Sequence, residues 1–161
     1  MPNPVLRVGL RAPSFTLDAT RTDRFRLTEM RGRWVVLYFY NKDGTPGCTA
    51  EACDFRDLYA EFKRRGAIVV GASACQIDSH EDFARELGLP YPLVCDHDRK
   101  VAAKYGVWRD KQQNSHRYLG LVRSTVLIDP GGKVARVFDN ARVKGHAAKV
   151  LAALDKELEA R

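Results

Sequence analysis

Residues 34–55 read "WVVLYFYNKDGTPGCTAEACDF". The first seven form an unbroken run of apolar, β-branched and aromatic side chains. That is the pattern of a strand covered on both faces. From Thr49 the period changes. Ala52, Phe55, Leu58, Tyr59 and Phe62 recur at three- and four-residue spacing with charges between them, which predicts a helix to Arg65 ended by Gly66. A buried strand, a short polar loop and an amphipathic helix are the unit of a layered α/β domain. Cys48 then lies past the carboxyl end of the strand, where open α/β sheets place their chemistry.

The alternation repeats outward from this stretch. "AIVVGAS" (67–73) reads as a second buried strand. "SHEDFARELG" (79–88) reads as a helix with Ser79 as N-cap, Asp82 in the capping-box position and Gly88 as C-cap. "YPLVCD" is a short strand and "DRKVAAKYG" a short helix. "STVLID" and "KVARVFD" flank "PGG" and predict a hairpin. The last helix, "KGHAAKVLAALDKELEA", carries Val150, Leu151, Leu154 and Leu158 on one face. Upstream, "SFTLDATRTDRFRLTEM" alternates on both sides of a polar turn and predicts an N-terminal β-hairpin. Val107–Leu121 is polar throughout and is expected to be a long loop. The whole, 1–161, reads as one α/β domain with a central mixed β-sheet flanked by helices.

Hydrophobic residues make up 45% and charged residues 29%, the balance of an ordinary globular chain. No apolar run approaches the ~20 residues needed to cross a bilayer, so no membrane partner is expected. Residues 1–12 read as a lead-in, and "MPNPVLRVGLRAPSF" lacks the apolar core of a secretory signal. A cytoplasmic protein is the expectation. The net charge of +7 raises nucleic acid as a partner, but the basic residues are scattered. The densest cluster, Lys63-Arg64-Arg65, falls at a helix C-terminus, where cations suit the dipole. No nucleic-acid partner is expected.

In such a compartment structural disulfides are rare. Catalysis, metal binding or burial remain for Cys48, Cys53, Cys75 and Cys95. Cys48 opens a helix, where unpaired N–H groups and the dipole favour an anion, and the thiolate is the nucleophilic form. Pro46 and Gly47 keep the approach compact, and Thr45 offers a hydroxyl. The alternative is a small buried residue at a strand–helix junction. Cys53 lies five residues on, off the apolar stripe. In an ideal helix that spacing leaves Cα atoms roughly 8.5–9 Å apart, while a disulfide cannot close beyond about 7 Å. If the two bond, the first turns must unwind. Cys53 also fits an incidental thiol on a helix flank. Zinc needs four convergent ligands, and His80, His97, His116 and His146 are dispersed, so no metal is expected. Cys75 and Cys95 end predicted strands and read mainly as small buried residues, with Cys75 a second candidate to approach Cys48.

"VVLYFYNKDGTPGCTAEAC" resembles the active-site segment of the peroxiredoxins, in particular the bacterioferritin-comigratory-protein (PrxQ) group. The similarity continues through "VVGASACQIDSHEDFARELGLPYPLVCD", "VAAKYGVW" and "RSTVLIDPGGKV", in order along essentially the whole chain. It implies a thioredoxin-like fold of peroxiredoxin type and reduction of hydrogen peroxide and organic hydroperoxides. It implies Cys48 as the peroxidatic cysteine, Cys53 as the resolving cysteine, Thr45 as the substrate-positioning hydroxyl, Arg123 as the active-site arginine and Glu51 as its orienting partner. It further implies thioredoxin or a similar dithiol as reductant and a monomer; the helix geometry predicts that an intramolecular Cys48–Cys53 disulfide exposes residues 49–58, and the thiol chemistry requires no metal or organic cofactor. Asn41 departs from the pattern, since the family has a proline seven residues before the peroxidatic cysteine; Asn41 offers a polar group instead. A redox-sensing or holdase-like protein with weak peroxidase activity is the alternative reading. A general disulfide oxidoreductase is a third, against which the missing CxxC argues.

Overall fold

The structure, a computed structural model, describes residues 6–161. The lead-in and the leader reading of the first residues fall partly on residues 1–5, outside the described residues. In chain order the elements are β1 (Thr16–Asp18), β2 (Arg24–Arg26), a 3-10 turn (Leu27–Met30), β3 (Trp34–Phe39), α1 (Pro46–Arg64), β4 (Ala67–Ser73) and α2 (Ile77–Leu87). There follow β5 (Leu93–Cys95), α3 (Lys100–Lys104), β6 (Trp108–Gln113), β7 (His116–Leu121), β8 (Ser124–Ile128), β9 (Val134–Phe138) and α4 (His146–Ala160).

All six side chains of β3 are buried, and β3 is the middle of a five-stranded sheet of order β5-β4-β3-β8-β9. It pairs in parallel with β4, Trp34 opposite Ala67 through Phe39 opposite Ala72. On its other side it pairs antiparallel with β8, Phe39 opposite Ser124. The sheet is therefore mixed, with the parallel half built by α1 and α2 as crossovers. β1 and β2 form the expected N-terminal hairpin as a separate two-stranded ribbon.

The period-2 geometry of β3 divides the interior in two. Val35, Leu37 and Phe39 pack on one side with Phe15, Phe25, Val70 and Tyr105. Trp34, Val36, Tyr38 and Tyr40 pack on the other against Phe55 and Phe62 of α1 and Val150 and Leu154 of α4. Each such side chain, fully buried, contributes about 1.5–3 kcal/mol. Tyr38 stacks on Phe55 with centroids 4.7 Å apart. Its hydroxyl meets the Tyr91 hydroxyl at 2.8 Å, and Tyr91 donates to the Ala52 carbonyl at 2.8 Å. This chain of contacts seats the middle of α1 on the sheet. Gly71 leaves the room it needs: a Cβ there would lie 2.8 Å from both the Tyr38 ring and Leu93.

Three expectations are corrected. Residues 108–121 are a hairpin, β6 paired with β7, and not a long loop. Its turn is Asn114-Ser115, both at positive φ (50° and 66°), the backbone of a tight two-residue hairpin. Most of its side chains are exposed, so no apolar alternation marks it. α2 starts at Ile77 with Gln76 as cap, and not at a Ser79 cap. The Ser79 hydroxyl bonds Asp43, and Asp82 pairs with Arg85. Gly88 does close the helix, at φ 63°. On α4, Val150 and Leu154 are buried, but Leu158 is exposed.

Candidate active site

α1 begins earlier than its apolar period suggests. Thr45 is the N-cap and Pro46 the first helical residue, a position where its fixed φ is suited and its missing N–H costs nothing. The ladder starts with Thr49 N–H donating to Thr45 O at 2.8 Å. The N–H groups of Gly47 and Cys48 precede that rung, so the positive end of the helix is centred on Cys48.

Cys48 is buried, 1% exposed. Its Sγ accepts a hydrogen bond from Arg123 Nη2 at 3.2 Å. Arg123 immediately precedes β8, whose Ser124 is the partner of Phe39, so the sheet register brings Arg123 beside the loop that follows β3. The Ala141 N–H donates to the Arg123 carbonyl at 2.7 Å and fixes its backbone. Gly47 lies directly beneath, and a Cβ there would stand 3.5 Å from Arg123 Nη2.

Glu51, three residues after Cys48 and on the same helix face, accepts from Arg123 Nη1 at 2.5 Å through Oε1. It is 1% exposed, and its Oε2 has no hydrogen-bond partner among the described residues. Burial pushes its carboxyl up to about 7, with the Arg123 charge opposing. One guanidinium thus joins a thiol to a carboxyl, and both sit in the first turn and a half of α1.

Cys53 is half-buried on the same unbroken helix, and all four thiols are free. Ideal helical geometry keeps it out of bonding range of Cys48. Thr45 spends its hydroxyl hydrogen on the Lys42 carbonyl at 3.1 Å, which leaves its lone pairs for a bound group. Asn41 is exposed and lines a cavity of about 160 Å³ with Ser73, Asp96, Arg99 and Trp108; Cys48 is not among that cavity's lining residues. Among the described residues no group of three or more His, Cys, Asp or Glu could hold a metal ion. No helix among the described residues is long and apolar enough to cross a membrane.

A family model described as AhpC/TSA matches residues 8–137. The chain belongs to the AhpC/TSA family. Within it the chain is a peroxiredoxin of the Bcp/PrxQ kind. It is 37% identical over 149 residues to peroxiredoxin Bcp of Bacillus subtilis, covering 92% of this chain and 95% of that one. A solved structure of peroxiredoxin Q from Xanthomonas campestris superposes with a TM-score of 0.87 at 37% identity, covering 92% and 97% of the two chains. A second structure from that organism, of a bacterioferritin comigratory protein studied for alkyl peroxide reduction, gives 0.88 at 35% identity over 94% and 99%.

The other two cysteines of this peroxiredoxin are half-buried, not fully buried as their sequence setting suggests. Cys95 ends β5, and burial raises its thiol above the ordinary value. Cys75 lies two residues past β4 and accepts the Asp43 N–H at 3.4 Å. Two groups near the site escape a sequence reading. His146 is buried at the start of α4, its Nε2 2.7 Å from the Thr125 hydroxyl. Burial, with the Arg123 charge, pulls it down to about 4. Asp43, in the loop before α1, and His80, in the first turn of α2, form a buried pair. A polar loop residue and one of four dispersed histidines give no signal of this in the sequence.

Proposed function

We propose that residues 1–161 act as a single-domain thiol peroxidase in which Cys48 is the peroxidatic and Cys53 the resolving cysteine. The contact between Arg123 and Cys48 Sγ at the head of α1 carries this reading. The Cys48 thiolate attacks one peroxide oxygen; an S–O bond forms, the O–O bond breaks, and the departing oxygen leaves as alcohol or water after taking a proton. Arg123 and the free N–H groups of the first turn stabilise the thiolate and the charge growing on the leaving oxygen. Thr45, with lone pairs to spare, holds the peroxide. The resulting sulfenic acid condenses with the Cys53 thiol, releasing water and forming a disulfide. This last step requires α1 to open, since the helix holds the two apart.

An external dithiol supplies two electrons to restore the thiols, and thioredoxin is the reductant whose chemistry fits. A resolving cysteine in the same chain lets a monomer complete the cycle, and a thioredoxin-type reductant suits the cytoplasm. The test is direct. Cys48→Ser abolishes peroxide consumption, while Cys53→Ser treated with one equivalent of peroxide accumulates a sulfenic acid at Cys48 that dimedone traps. Consumption that persists in Cys48→Ser overturns the proposal.

A further inference from the structure

The loop between β3 and α1 is fastened by a polar cluster that the thiol chemistry does not use. Asp43, five residues before Cys48, is its centre. Asp43 Oδ1 accepts the Tyr40 hydroxyl at 2.5 Å. Asp43 Oδ2 accepts the Ser79 hydroxyl at 2.8 Å and lies 2.7 Å from His80 Nδ1. The other ring nitrogen, His80 Nε2, lies 3.0 Å from the Val94 carbonyl. A carbonyl only accepts, so Nε2 carries a hydrogen, and a hydrogen must also lie between Nδ1 and the carboxylate. The bond is charge-assisted and shielded from water, with side-chain exposures of 0% for His80 and 5% for Asp43. Burial alone would raise the Asp43 carboxyl, but the bonds from His80 and Tyr40 outweigh it and hold it below its ordinary value.

These bonds join one loop residue to the end of β3, the first turn of α2 and, through His80, β5. Directly after Asp43 come Gly44, at φ 86°, and the Thr45 cap. With Asp43 fixed, the short segment from Gly44 to Pro46 has little freedom, and the first turn of α1 is set against Arg123. We propose that Asp43 and His80 are a latch on this loop, His80 being a positioning residue that acts on Cys48 through Asp43. The proposal rests on the roles assigned above to Cys48 and Cys53. The latch favours capture of peroxide, which needs Cys48 on Arg123. It opposes resolution, which needs Cys48 to leave.

The two steps are measured separately. In the Cys53→Ser background, competition kinetics give the rate of sulfenic acid formation. In chains retaining Cys53, rapid quench and mass spectrometry after one equivalent of peroxide give the rate of disulfide formation from the sulfenic acid. His80→Ala and Asp43→Asn are expected to slow the first step at least threefold and speed the second at least threefold. Ser79→Ala, which removes one donor from an exposed side chain, shifts both in the same directions by less and guards against a variant that fails to fold. Opposed shifts with hydrogen exchange in α1 beyond Phe55 unchanged from the parent support the latch; exchange raised along the whole of α1 would mark a fold destabilised throughout, which also frees the helix, and overturns it. Unchanged rates, or both rates slowed together, overturn it. If the parent Cys53→Ser chain forms no sulfenic acid, the assignment of Cys48 fails instead, and the two failures are thereby told apart.

Discussion

Arg123 bonds Glu51 through one terminal nitrogen and Cys48 through the other. Only a planar fork with two spaced donors can do both at once. Lysine carries the same charge but concentrates it at one point on a flexible stem. Arg123→Lys is therefore expected to lower the second-order rate of Cys48 with hydrogen peroxide by at least about tenfold while leaving the protein folded, as circular dichroism and competition kinetics would show. A loss under twofold would mean that the fork has no part in the reaction. Cys48, Cys53 and Thr45 stand out in the sequence itself as candidates because they lie within nine residues of one another at a strand–helix junction, whereas Glu51 enters only through resemblance. Arg123 was legible only through resemblance, since the register of β8 on β3 is what brings it there. Asp43 and His80 were not, because a bond spanning 37 positions leaves no local pattern.

At the scale of the element, α1 is built from two unequal parts. From Phe55 onward it is anchored by buried aromatic packing, Phe55 on Tyr38 and Phe62 on Phe55. Before that, its hold rests on the Arg123 pair and on the Tyr91 bond to the Ala52 carbonyl. The opening that a disulfide demands should then stop short of Phe55. Hydrogen exchange after peroxide treatment is expected to rise at residues 49–53, whose amides are the first bonded into the helix, and stay low from 55 to 64. Protection lost through residue 60 would show that the aromatic anchor does not hold. The two-faced strands and long helices were readable from their periods. The β6–β7 hairpin was not, because a ribbon exposed on both faces shows no alternation and its Asn-Ser turn is weaker punctuation than Asn-Gly.

For the whole molecule, two buried groups titrate in opposite senses. Glu51 is held near 7 against an ordinary 4.5, so the native state keeps a proton that the unfolded chain releases. Its contribution to stability falls as pH rises from about 4.5 to 7 and is constant above. His146 is held near 4 against 6.5, so its contribution grows as pH rises through 4 to 6.5. The two slopes largely cancel. Glu51→Gln removes one of them. Its stability relative to the parent, measured by urea unfolding across this range, is expected to climb with pH by on the order of 3 kcal/mol between 4.5 and 7. A difference that does not change with pH would refute the shifted carboxyl.

Helix α1 starts without a side-chain cap bond from Thr45 and without an acidic residue in its first turn. In the proposed cycle this has an electrochemical consequence. The disulfide exists only where the helix has opened, so whatever free energy favours the closed helix also favours the dithiol. Each ~1.4 kcal/mol of that preference makes the couple about 30 mV more oxidising. A lightly capped first turn keeps this increment small. The midpoint potential of the enzyme is then set by how α1 begins as much as by the sulfur atoms themselves.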